Sequence, residues 1–147
     1  MTLLEPPAET AHKSRVIPFT IAAVVIVAAA LAWYALRFYP EKRVTEHFFD
    51  AVMAGDLARA YTIWKPQPSY EMQDFLADWG PKGYYGEVKS YKITRATSPR
   101  GTPCVAVSVA ISPFSPLPDA SDGERSRKTR IVTVWIDPKD KSFSFPP

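Results

Sequence analysis

Cysteine is almost absent: Cys104 is the single one in 147 residues. That excludes an internal disulfide and any zinc site built on cysteines. A chain without disulfides suits either side of a bacterial membrane, so redox logic assigns no compartment. Cys104 opens an apolar alternating stretch and reads as a small buried hydrophobe, not a nucleophile. Histidine is scarce as well. His12 and His47 stand far apart, and with one cysteine they form no metal-ligand pattern. No catalytic, metal or cofactor motif stands out.

Excess charge of one sign is also lacking. The net charge is +3, and Glu5 and Glu9 offset Lys13 and Arg15, so the surplus falls in the second part of the chain. A surplus this small calls for no nucleic-acid partner.

Charge is missing altogether from Val16 to Leu36, a run of 21 residues. As a helix it spans roughly 31 Å, about one hydrocarbon core. It has no polar face, unlike the helix of a soluble core. Pro18 sits in its first turn, where a missing N–H costs least. Lys13 and Arg15 flank one end and Arg37 the other, and Trp33, Tyr34 and Tyr39 gather at the far end as interfacial aromatics do. The run therefore reads as a signal-anchor over residues 16–37, with the bilayer as its partner through Val16–Leu36. A cleavable secretory signal is the rival, since Ala28-Ala29-Ala30 and Ala30-Leu31-Ala32 both fit a small-x-small site. The run exceeds the usual h-region and continues past those sites. Flanking Lys and Arg are nearly balanced, and long domains translocate largely regardless of charge. The favoured topology is a single pass in the cell membrane, with the tail inside and the soluble domain extracytoplasmic.

Residues 1–15 are polar and contain Pro6 and Pro7, and read as a disordered tail. Residues 40–147 are the size of one domain. Pro40 and Glu41 suit the start of a helix that runs to Ala54. Val44, Phe48 and Val52 form its buried stripe, widened by Phe49 and Met53. Gly55-Asp56 ends it and caps a second helix from Leu57 to about Trp64. After Pro66 and Pro68, Ser69 suits the cap of a third helix. There Met72, Phe75, Leu76 and Trp79 follow the i, i+3, i+4, i+7 pattern, and Gly80-Pro81 stops it. The remainder alternates as β: strands over Glu87–Ala96, Cys104–Ser112, Thr129–Asp137 and Ser142–Phe145. In the second, Val105, Val107, Val109 and Ile111 face one way. Pro113 to about Lys128 reads as a long polar insertion. The expected fold is α+β, with a transmembrane helix and then about three helices packed on a four-stranded antiparallel sheet.

The string Phe48-Phe49-Asp50-Ala51-Val52-Met53-Ala54-Gly55-Asp56-Leu57-Ala58-Arg59-Ala60-Tyr61 resembles the opening helices of nuclear transport factor 2-like domains, within the broader cystatin-like group. Tyr85-Gly86 followed by a strand resembles them too. The resemblance covers most of residues 41–147. It implies an α+β domain of a kind that often follows a single membrane anchor in bacteria, many members having no assigned activity. It carries over no catalytic residue. Enzymatic relatives of the ketosteroid isomerase or polyketide cyclase kind place Asp, Tyr or His in a cone-shaped cavity. A looser resemblance is to anchored domains of cytochrome oxidase assembly and mitochondrial import factors, which act as scaffolds.

Candidate binding residues are the aromatics Tyr61, Trp64, Trp79, Tyr84 and Tyr85. They combine apolar walls with polar tips and would line a pocket between helices and sheet, unless they are simply the core. Arg125-Ser126-Arg127-Lys128-Thr129-Arg130 is the one basic cluster, suited to anionic headgroups or an acidic partner, or to a solvated loop. His47 beside Glu46 and Asp50, and the pair Asp74 and Asp78, read as solvated helix faces. The expected function is a non-enzymatic, membrane-tethered module for a ligand or protein partner. The alternatives are a scaffold for membrane-complex assembly, or an isomerase- or cyclase-like enzyme with Tyr61 or Tyr91 as acid.

Overall fold

A computed structural model describes residues 16–116 and 122–146. The tail expected over residues 1–15 and part of the insertion after Pro113 lie outside them. The chain divides into two units between Arg37 and Phe38.

The first unit holds helix α1, Val16–Leu36. Its side chains are exposed on every side, from Phe19 at 79% and Leu31 at 65% to Trp33 at 77%. The helix carries no charge, and its polar groups are confined to Thr20 and the tips of Trp33 and Tyr34 near its ends, a composition that suits hydrocarbon surroundings. Its length and composition suffice to cross a membrane, a test that signal sequences near an N-terminus also pass.

The second unit is an α+β domain. Its order is α2 (Tyr39–Met53), α3 (Leu57–Trp64), α4 (Met72–Trp79), β1 (Ser90–Thr97), β2 (Val105–Ser112), α5 (Asp122–Lys128), β3 (Arg130–Ile136) and β4 (Phe143–Ser144). The strands form one antiparallel meander in the order β1-β2-β3-β4. The sequence pattern of one buried face holds: Val107, Val109, Ile111, Val132, Val134 and Ile136 are buried, whereas Ile131 is 71% exposed. A register shift between Ile93 and Arg95 marks a bulge in β1, and Thr94 there donates to the Ser108 carbonyl at 3.0 Å. Charged Lys92 and Arg95 are exposed on this outer strand, and a bulge with charges discourages edge-to-edge pairing.

Each helix end has a local cause. Pro40 lies in the first turn of α2, with Glu41 beside it. At its other end the Asp56 N–H donates to the Ala51 carbonyl and the Gly55 N–H to Val52, the paired bonds of a Schellman stop. Asp56 then caps α3, its carboxylate accepting from the Arg59 N–H at 3.1 Å. The cap of α4 is Glu71, not Ser69. There Asp74 reaches back to accept from the Glu71 N–H at 2.9 Å, so the start of the helix is set by an acidic side chain inside its first turn.

Three further expectations change. Met53 and Leu76 fit the apolar periodicity but are 42% and 40% exposed; each sits just off the centre of its helix's buried stripe. The first strand starts at Ser90, not Glu87, although Val88 is buried. The insertion is not irregular throughout, because residues 122–128 form α5. Cys104 is half-buried and precedes β2.

The core is aromatic and centred on Phe48. Its ring lies 5.1 Å from Phe49, 5.1 Å from Trp64, 5.2 Å from Trp79 and 5.2 Å from Phe143. The Phe49 and Trp79 contacts are edge-to-face, the geometry that ring quadrupoles favour, worth about 0.5–1.5 kcal/mol per pair beyond area burial. Around them pack the valines of β2 and β3. The start of α2 is held to the β3–β4 turn by Glu41, 4% exposed, which accepts from Lys141 Nζ at 2.6 Å. Lys65 Nζ donates to the Asp140 carbonyl in the same turn.

Candidate functional site: a basic hollow beside Tyr84

The centre of the helix-to-sheet space, where a pocket was expected, is packed with rings, and Trp79 and Trp64 each border a small hollow at its edge. Trp64 and Trp79 are each 2% exposed and lie 5.9 Å apart within the core. Tyr61 packs edge-on to Phe75 at 5.4 Å, and its hydroxyl donates to the Tyr70 carbonyl at 3.0 Å. These three side chains therefore build the domain's interior. The indole N–H of Trp79 is buried and has no partner among the described residues.

Tyr84 and Tyr85 end up elsewhere. After α4 the chain folds back on the helix end: the Tyr84 N–H donates to the Ala77 carbonyl at 2.8 Å and the Tyr85 N–H to Asp78 at 3.0 Å. This return needs a residue without a side chain at Gly83, where a Cβ would meet the Asp78 carbonyl oxygen at 2.7 Å. Gly86, at φ +73°, then turns the chain toward Val88 and β1, a conformation glycine adopts freely. The result splits the two tyrosines. Tyr85 stacks on Trp79 at 4.3 Å, while Tyr84 is 73% exposed.

The same return brings this loop against the basic segment. Residues 83–87, 111–113, Arg127, Lys128 and Arg130 line one hollow of about 390 Å³. Arg130 fixes the two sides together by donating to the Tyr84 carbonyl at 3.0 Å. Lys128 lies 5.5 Å from the centre of the Phe114 ring, a cation–π distance. The Arg127 side chain is exposed and makes no hydrogen bond or ion pair with any described residue. Glu87 is the acid in the lining, and it lies 3.5 Å from Lys89. Smaller hollows lie beside Trp79 with Met53 and Leu57, about 170 Å³, and beside Trp64 with Tyr70 and Phe145, about 230 Å³.

Three phenols of the domain hold their protons more tightly than usual. Burial raises the Tyr85 phenol above its ordinary value, with Asp78 adding to the effect. Burial and then a hydrogen bond to Asp78 raise Tyr70. Tyr91 is raised by burial and by its 2.7 Å bond to Asp50. A phenol whose proton is held more tightly is a worse general acid. His47 is exposed on α2. Asp74 serves the α4 cap, and Asp78 accepts from the Tyr70 hydroxyl at 2.7 Å. No group of three or more metal-ligating side chains occurs among the described residues.

The sequence separates Tyr84 from Arg127 and Arg130 by the whole of β1 and β2. Aromatic content marked one side of the hollow and charge clustering the other. Ser112 and Pro113, which join them, carried no signal. Comparison of the chain with protein-family models, curated proteins and solved structures gave no match in any of the three.

Proposed function

We propose that this chain is a single-pass membrane protein in which α1 tethers a non-enzymatic binding module of the nuclear transport factor 2-like or cystatin-like type. The module sits on the extracytoplasmic side of the cell membrane and takes its ligand or protein partner in the hollow beside Tyr84. One observation carries this reading. Among the described residues this hollow joins a predicted binding aromatic to the basic cluster and holds cations and an exposed tyrosine, while Asp74 is committed to a helix cap and Asp78 and Asp50 to the hydroxyls of Tyr70 and Tyr91. Such an arrangement binds by charge and stacking and has no assembled acid–base pair.

The test is affinity purification of the full chain from membranes through a tag after Pro147, with bound proteins and small molecules identified. The wild type is compared with Tyr84→Ala and with Arg127→Gln. Loss of the same bound species in both variants supports the reading. Retention of every bound species by both overturns it. Co-purification of a membrane complex that survives both changes but disappears when Val16–Leu36 is replaced by another anchor favours the assembly scaffold. The mass of the purified chain separates an anchor from a cleaved leader, and protease access to the tag after selective opening of the outer layers reports the side.

A further inference from the structure

We infer that the hollow beside Tyr84 is a phosphate-recognition site, taking a phosphoryl group carried by a small molecule or a lipid headgroup. This rests on the hollow being the binding site and adds the class of ligand. Arg127, Lys128 and Arg130 bring positive charge to one concavity of about 390 Å³, within the range of small-molecule sites. The acid in the lining, Glu87, already has Lys89 at 3.5 Å. A cavity with this balance disfavours cations and neutral polar ligands, which would leave the three charges uncompensated.

The donor set selects among anions. Each guanidinium offers five N–H donors in a planar fork that matches two oxygens of a phosphate. Arg130 spends one of them on the Tyr84 carbonyl, which fixes the fork and leaves the others. Arg127 spends none on a described residue. Ser112 accepts from the Phe114 N–H at 3.3 Å, so its own O–H remains to donate. Lys128 adds a point charge from its place over Phe114. This supply of donors exceeds what a two-oxygen carboxylate can accept and suits a tetrahedral group with three or four oxygens. The exposed ring of Tyr84 and the half-buried ring of Tyr85 supply an apolar wall for whatever body carries the phosphate.

The experiment follows phosphorus-31 resonances with the full chain in non-ionic micelles. One arm titrates glycerol 3-phosphate, and the other adds phosphatidic acid to the micelles; acetate at equal concentration is the competitor. Broadening of the phosphate signal that acetate does not reverse is expected in at least one arm. A response to the soluble ester assigns a soluble ligand, and a response confined to phosphatidic acid assigns a headgroup. Arg127→Gln should weaken binding by about tenfold, the scale of one lost charge-assisted hydrogen-bond pair. The β1 variant Lys92→Gln/Arg95→Gln, outside the hollow, should stay within about twofold. The Arg127 side chain has no partner among the described residues, so its replacement tests binding with little expected effect on the fold. The inference is overturned if neither arm responds, if acetate competes equally, or if the β1 variant weakens binding as much as Arg127→Gln. In each of those cases the bound species lost from Tyr84→Ala in the membrane purification would still stand, and only the ligand class would fall.

Discussion

Replacing Lys141 by Met should destabilise the domain by about 2–3 kcal/mol. The Glu41 side chain is 6% exposed and Lys141 Nζ lies 2.6 Å from its carboxylate. Lys141 also donates to the Pro138 carbonyl at 2.7 Å. Removing one partner of a fully buried pair costs about 3–5 kcal/mol, because the other charge is stranded. An exposed pair is worth about 0–1 kcal/mol. Lys141 is 30% exposed, which lets water reach one side of the pair and places the cost between the two limits. Glu41→Gln should cost less, about 1 kcal/mol, because Lys141 can keep the Pro138 carbonyl and turn its charge to solvent. The double variant should then be less destabilised than the sum of the two singles by at least about 1 kcal/mol.

Lys141 also holds φ at +61°, a left-handed conformation costing a non-glycine residue about 1–2 kcal/mol. Lys141→Gly loses the pair but relieves that conformation, so it should be the milder change beside Lys141→Ala. The assay is near-UV circular dichroism of the full chain in micelles during heating, a signal dominated by the packed rings around Phe48. For a domain this size the Met variant should melt about 10 °C lower. A melt within about 0.5 kcal/mol of wild type, or strict additivity in the cycle, would refute the view that this pair locks α2 to the β3–β4 turn.

Trp79→Ala should cost about 3–5 kcal/mol, whereas Trp79→Phe, which removes an indole N–H without a partner among the described residues and keeps a ring, should stay within about 1 kcal/mol by chemical denaturation. Gly83→Ala drives a Cβ to 2.7 Å from a backbone oxygen; it should loosen the return after α4, which forms one wall of the hollow, and abolish phosphate binding, read by the phosphorus titration. Asp56→Ala should cost about 1 kcal/mol through loss of the α3 cap, with Asp56→Ser recovering most of it. Tyr91 has a folded-state pKa above its unfolded value of about 10. Its contribution is whole below that pH and lost as pH rises through the folded value, because the unfolded chain ionises first. Wild type should therefore lose more stability between pH 8 and pH 10.5 than Tyr91→Phe does, in paired denaturant titrations.

Much of this molecule is written locally. A charge-free run of 21 residues reads as a helix matched to hydrocarbon, because length and polarity act residue by residue. Gly55-Asp56 marked one helix end and the next helix start, because cap bonds span only a few residues. Alternation in Val105–Ile111 named the buried face of β2 correctly, since the pleat has a period of two. Periodicity failed at Met53 and Leu76, where the pattern fits but the helix turns the side chain outward. Whether a given turn faces the sheet depends on how the helices cross it. Residue preference for helix caps failed at Ser69, since Asp74 supplies a bond that moves the cap to Glu71.

The site was legible only in halves. Composition singled out Tyr84 and Tyr85, and charge singled out residues 125–130, but no short-range rule joins segments more than 40 residues apart. The meander does it, by running β1 out and β2 back so that Ser112 and Pro113 arrive beside Gly86. Tertiary packing also sorted the aromatics: Trp64 and Trp79 close around Phe48, Tyr85 stacks on Trp79, and Tyr84 is left at the surface. Sequence alone determined the apolar helix, the Gly55-Asp56 junction and the buried face of the strands, because these follow from interactions within a few residues. Only the folded domain decided which rings became core and which charge met which tyrosine, because burial is set by partners that the chain brings from far along its length.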